Sequence, residues 1–327
     1  MKEINPILHE NVRVLGRTLG TAPLNLFWTG SGVEFDLRGS ELWATLEADY
    51  DDLEPWIALL LNGQPVVRQP LERGTHRRLL LRGLDPERPH HIQLLRESQA
   101  GSGSIKLHNL EIEGEIAPLS PSKYRVEFIG DSLTSAEGSL GCPLDSEWRP
   151  IWFTACKNWA RLTAERLCAE HRIISQSGWG VGASWNGDLN CALPDYYEYV
   201  CGMAEGGKIP NDFNAWKPDL VVCALGTNDN GALNNAPEKV NTQFLEKKTR
   251  AFVEKLRKLN PDSKVVWVFF ENTQPMDGII EQVIGSSFIS LPEMTHEIWN
   301  SGARNHPGAA WHESIAEYLA PRLEALL

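Results

Sequence analysis

The hydrophobic rhythm of this chain changes once, at Ala117-Pro118-Leu119-Ser120-Pro121-Ser122. Before it, short apolar or alternating runs recur between turn signals. After it, near-continuous apolar runs alternate with stretches of helical period. The first pattern suits half-buried antiparallel strands, and the second suits strands buried on both faces. Two prolines with serines make the connector short and stiff. The expected fold class is therefore all-β followed by α/β, with a β-sandwich over residues 1–117 and a second domain over 123–327.

In the first part the runs are 12–15, 32–37, 42–46, 56–61, 78–81, 91–95 and 105–112. Turn signals separate them, including Thr29-Gly30-Ser31-Gly32, Leu84-Asp85-Pro86 and Gly101-Ser102-Gly103-Ser104. Asn62-Gly63, between the run 56–61 and Pro65-Val66-Val67, predicts a hairpin with a mirror-image turn.

In the second part strands are expected at 125–129, 172–175, 220–225 and 265–270, with a weaker one at 287–291. One-sided apolar stripes predict helices at 157–168 and 242–259, and a final helix at 313–326. The aromatic-rich segment 185–217 lacks a clear period and reads as a functional loop or short helices. In a parallel sheet flanked by helices, ligands sit beyond the carboxyl ends of the strands.

Composition excludes several classes. The formal charge is −12, which argues against a nucleic-acid partner. No window has the ~18 consecutive apolar residues of a membrane span. Met1-Lys2-Glu3-Ile4-Asn5-Pro6 does not read as a secretory signal, so a cytoplasmic location is expected unless a signal has been removed. The six cysteines, Cys142, Cys156, Cys168, Cys191, Cys201 and Cys223, form no CxxC pair, so they are expected to be reduced and mostly buried. His90-His91 has no ligand spacing and is expected to begin a strand, one ring on each face. No metal and no cofactor is implied.

The residues that carry chemistry lie at strand ends. The run Val126–Ile129 stops at Gly130-Asp131-Ser132-Leu133, a turn that presents one hydroxyl. Gln176-Ser177-Gly178-Trp179-Gly180, Gly226-Thr227-Asn228-Asp229 and Asn305-His306-Pro307-Gly308 follow later elements. Acyl transfer needs a nucleophile, a base and donors for the oxyanion. Ser132 can be the nucleophile and His306 the base. The backbone N–H groups of Ser132 and Gly178 and the Asn228 side chain can be the donors. The alternative for the first stretch is a helix cap, because Asp and Ser are common N-caps.

Together these motifs resemble the GDSL, or SGNH, hydrolase superfamily, whose Ser, Gly, Asn and His correspond in chain order to Ser132, Gly178, Asn228 and His306. The resemblance implies a flavodoxin-like three-layer α/β/α domain. The preceding β domain narrows it to carbohydrate esterase family 2, whose members carry an N-terminal jelly roll and remove acetyl groups from plant polysaccharides and related sugars. The implied partner is a small acetylated carbohydrate. Trp179 and Trp185 are candidates to line the pocket or stack on a sugar. Oligomeric state is left open.

One feature departs from the superfamily pattern, in which an Asp precedes the His by three residues. Here that residue is Ala303, and no acidic residue occurs between Glu297 and His306. The expectation is a Ser-His dyad, with a backbone carbonyl near residues 301–303 accepting the Nδ1 proton of His306. A folded-in Asp277, Glu271 or Glu293 is the alternative. His296, with Glu293 three residues before it, is a rival base, and His312 is expected on the helix surface or behind the site. Gly178-Trp179-Gly180-Val181-Gly182-Ala183 fits a dinucleotide fingerprint but leads into no apolar helix. Two rival functions are a catalytically weak carbohydrate-binding protein and an esterase of non-carbohydrate short-chain esters.

Overall fold

The computed structural model describes residues 1–299 and 301–327. Two compact units emerge. The first holds Met1–Pro121 with Arg149–Cys156 and Val200–Ile209, and the second holds Ser122–Trp148, Lys157–Tyr199 and Pro210–Leu327. The first unit thus reaches past the proline connector and takes in two segments of the later chain.

Its strands are β1 (Lys2–Ile4), β2 (Arg13–Leu15), β3 (Leu24–Asn25), β4 (Gly32–Asp49), β5 (Trp56–Leu61), β6 (Gln64–Pro70), β7 (Gly74–Arg82), β8 (His90–Arg96) and β9 (Ser104–Ala117). Every pairing is antiparallel. The runs 32–37 and 42–46 belong to the single strand β4. A register shift between Gly39 and Glu41 lets β4 continue along β9, while its other partner passes from β8 to β7. Asn62 and Gly63 both take positive φ and close the β5–β6 hairpin as the mirror-image turn requires. Phe35, Leu37, Leu42, Ile92, Leu94, Leu107 and Leu110 lie in its fully buried core.

Packing and hydrogen bonds hold the two annexed segments in this unit. Ala155 and Cys156 pack with Leu15, Ala58, Leu60 and Leu95. Arg68 donates to the carbonyls of Ile151 and Phe153, and the Trp28 indole donates to the Val200 carbonyl at 2.7 Å. On β8, His91 bridges Glu34 and Asp36 at 3.0 and 2.8 Å.

The second unit carries β10 (Tyr124–Gly130), β11 (Ala169–Ser175), β12 (Leu220–Ala224), β13 (Lys264–Phe270) and β14 (Phe288–Leu291). Its helices are α1 (Ser132–Ser135), α2 (Trp159–Arg166), α3 (Thr227–Asn235), α4 (Thr242–Leu259), α5 (Met276–Ile284), α6 (His296–Trp299) and α7 (Ala309–Glu324). The strands are all parallel in the order β11-β10-β12-β13-β14, the doubly wound order whose switch point lies between β10 and β12. Asn158 and Asn241 cap α2 and α4 through their side chains. The polar α3 shows almost no apolar stripe, which hides it from a periodicity reading.

All six cysteines are free, and three of them depart from the burial expected: Cys142 and Cys168 are exposed and Cys191 is half-buried. Among the described residues no helix is long and apolar enough to cross a membrane, and no cluster of His, Cys, Asp or Glu is arranged to hold a metal.

Candidate active site

β10 delivers Gly130 to the carboxyl edge of the sheet, and α1 starts two positions later at Ser132. Asp131 is the N-cap, its Oδ1 accepting the Leu133 N–H at 3.0 Å. So the cap and the nucleophile readings coexist: Asp131 caps the turn, and Ser132 heads it. The serine is buried but reachable, at 8% exposure.

Hydrogen bonds draw the other candidate residues to this turn. Asn228, on the first turn of α3, donates through Nδ2 to the Trp179 carbonyl at 2.9 Å and to Asp131 Oδ2 at 3.3 Å. It thereby ties the residue after Gly178 to the residue before Ser132. Gly178 takes φ 78°, a left-handed conformation that side chains resist.

The loop after Gly178 is held by a carboxylate. Asp229 is fully buried, and its two oxygens accept the N–H groups of Val181 and Gly182, each at 2.8 Å. The glycine pattern at 178–183 therefore serves a carboxylate clamp. Burial pushes Asp229 up to about 6, against those N–H donors. Burial also pushes Asp131 up to about 7, with the charge of Asp229 adding to it. The adjacency of Asp229 to Asn228 was the available signal.

His306 stands beyond the short turn Ala303–Asn305 that precedes α7. Its Nδ1 lies 2.9 Å from the carbonyl oxygen of Arg304. A carbonyl only accepts, so Nδ1 carries the proton and Nε2 keeps its lone pair. The accepting residue lies one position beyond the range 301–303 expected from sequence. The shift follows from two successive left-handed residues, Arg304 and Asn305, both at φ 56°, which turn the Arg304 carbonyl onto the ring. Asp277, an alternative acid, sits on α5 and accepts from the Gly278 N–H.

His312 is a correction to the surface reading. It is fully buried, with Nε2 2.7 Å from Ser139 Oγ and Nδ1 accepting the Trp159 N–H at 3.3 Å. Burial, then the charge of His306, lowers it to about 3, so it stays neutral. The rival base His296 is exposed on α6. Trp185 is 55% exposed, its N–H donating to the Gly178 carbonyl at 3.2 Å. Trp179 is half-buried and packs on Tyr196 with ring centroids 4.7 Å apart.

Residues 128–326 match the GDSL-like Lipase/Acylhydrolase family. The chain belongs to this family. Residues 14–121 match the carbohydrate esterase 2 N-terminal domain. An acetyl xylan esterase from the rumen bacterium Butyrivibrio proteoclasticus is 31% identical, with 99% of each chain covered and a TM-score of 0.91. An acetylxylan esterase / glucomannan deacetylase from Cellvibrio japonicus is 25% identical over 334 residues, 97% of this chain and 89% of that one. The cellulase/esterase CelE of Acetivibrio thermocellus is 28% identical over 204 residues, and the match spans only 24% of that longer protein.

Proposed function

We propose that this protein is a serine esterase that removes O-acetyl groups from carbohydrates through an acetyl-enzyme. The observation that carries the reading is the placement of His306: Nδ1 is held by the Arg304 carbonyl, which leaves Nε2 as the basic nitrogen. Ser132 Oγ attacks the acetyl carbonyl and passes its proton to His306 Nε2. The sugar oxygen leaves with that proton. Water then attacks the acetyl-enzyme with His306 again as base, and acetate is released.

The oxyanion receives the N–H groups of Ser132 and Gly178 and one Asn228 amide hydrogen. The Asn228 bond to Trp179 is of ordinary length, whereas the 3.3 Å contact with Asp131 exceeds the usual range of about 2.7–3.2 Å. The loosely held hydrogen is the one that turns to the oxyanion.

The names of the relatives, which mention xylan and glucomannan, favour acetylated xylo-, gluco- or mannosaccharides as the substrate class. The exposed indole of Trp185 beside Gly178 offers a flat face to a sugar ring. Trp179, packed at a tilt on Tyr196, is the second candidate to contact the sugar. Hydrolysis of 4-nitrophenyl acetate by the wild type and by Ser132→Ala tests the reading. Turnover lost in the variant supports it, and an inactive wild type that still binds sugar overturns it in favour of a binding protein.

A further inference from the structure

We propose that the Glu137–Arg304 ion pair is a positioning device for His306, doing here what a triad acid does through its side chain. The inference rests on the esterase mechanism above. Arg304 takes φ 56° and ψ 35°, and Asn305 follows at φ 56°. Left-handed backbone is unfavourable for a residue such as arginine, so the turn persists only where neighbours hold it. The holding contacts are specific. Arg304 Nε donates to Glu137 Oε1 at 2.7 Å, Nη1 donates to the Ser146 carbonyl at 3.3 Å, and the Arg304 N–H donates to the Asp145 carbonyl at 2.8 Å. The Glu137 side chain is 4% exposed, so its carboxylate is committed to this partner.

Glu137 also reaches the nucleophile turn. Its N–H donates to the Ser132 carbonyl at 3.0 Å. One residue therefore touches the turn of the nucleophile through its backbone and the loop of the base through its carboxylate. The next two residues extend the same plate. The Ala303 N–H donates to the Gly138 carbonyl at 2.9 Å, and the Ala309 N–H to the Ser139 carbonyl at 3.2 Å. A Cβ at Gly138 would stand 2.3 Å from the Ala303 oxygen and 3.0 Å from His306 Cβ, so only glycine permits this approach.

The test is kinetic and spectroscopic, on the full chain with 4-nitrophenyl acetate. Arg304→Ala is expected to lower kcat by about 10²-fold, the scale of a misplaced catalytic group, with KM nearly unchanged. Arg304→Lys keeps a cation for Glu137 and restores part of the loss. Glu137→Gln lowers kcat in the same direction, and the double variant Glu137→Gln, Arg304→Ala is no worse than Arg304→Ala, because the two act as one unit. The proton NMR resonance of the His306 Nδ1–H, assigned by its absence in His306→Ala, is sharp in the wild type and broadened in Arg304→Ala. Should Arg304→Ala fail to fold, the near-isosteric Glu137→Gln carries the same readouts. Wild-type kcat and an unaltered resonance in either folded variant would overturn the proposal. An inactive wild type would overturn the esterase reading instead, and the resonance would still decide whether the pair holds the ring.

Discussion

The carbonyl oxygen of Arg304 and Nδ1 of His306 lie 2.9 Å apart, and the residue three positions before that histidine is Ala303. A neutral acceptor fixes the tautomer and the ring plane, which is the main task of a triad acid. The acids named from sequence as substitutes are then dispensable. Glu271→Gln, Asp277→Asn and Glu293→Gln should each retain kcat within about threefold, whereas loss of a true triad acid costs about 10⁴-fold. Steady-state kinetics on an acetate ester decides the matter, and a drop of that size in any one of them identifies a hidden acid.

Asn228 is the side-chain donor of the proposed oxyanion site. Asn228→Ala should lower kcat by roughly 10²–10³-fold with a smaller change in KM. Equal losses in binding and turnover would place Asn228 in ground-state binding instead.

Asp229 acts one step further back. Its two oxygens hold the Val181 and Gly182 N–H groups and so fix the loop that carries Gly178. In Asp229→Asn one acceptor becomes an amide donor facing a backbone N–H. A buried donor left without an acceptor costs about 1–3 kcal/mol. The variant should therefore melt lower and lose turnover together, and unchanged kcat in a folded variant would separate this loop from catalysis.

The pH dependence of stability has a clear contributor in His312. Its folded value is about 3, below the unfolded value of about 6.5. The unfolded chain binds the proton more tightly, so stability is lost as pH falls from about 6.5 towards 3. At pH 5 the loss from this group is about 2 kcal/mol relative to pH 8. Urea unfolding at several pH values should show a flatter acid side in His312→Gln than in the wild type, and parallel curves would contradict the assignment.

Trp185 is proposed to contact the sugar and not the acetyl group. Trp185→Ala should raise KM for an acetylated oligosaccharide by up to roughly tenfold, the worth of one aromatic contact of about 1.5 kcal/mol. KM for 4-nitrophenyl acetate should stay unchanged. A matching rise for both substrates would show that the indole shapes the acetyl pocket.

Much of this architecture was legible in the sequence because it rests on period and punctuation. The parallel strands are apolar runs, and four of the five stood out clearly. Gly130-Asp131-Ser132 marked a strand end because a polar turn interrupts a buried strand. β4 read as two runs, 32–37 and 42–46, whereas the chain carries the interruption between them as a register shift along β9. The carbonyl that orients His306 was hidden by one residue, because it depends on the left-handed φ of Arg304 and Asn305, which no side-chain pattern announces. Glu137 and Asp229 were hidden for another reason. Their partners are an arginine 167 positions away and backbone N–H groups 47 and 48 positions away, and such pairings exist only once the fold brings them together.

The central claim is deacetylation of sugars by Ser132. The most direct measurement follows acetyl resonances by NMR on a panel of acetylated xylo- and glucomanno-oligosaccharides, with short-chain lipid esters alongside. The account predicts loss of sugar acetyl signals with release of free acetate, little attack on the lipid esters, and no change with Ser132→Ala. Intact sugar acetyl groups, equal attack on lipid esters, or undiminished release by Ser132→Ala would contradict it.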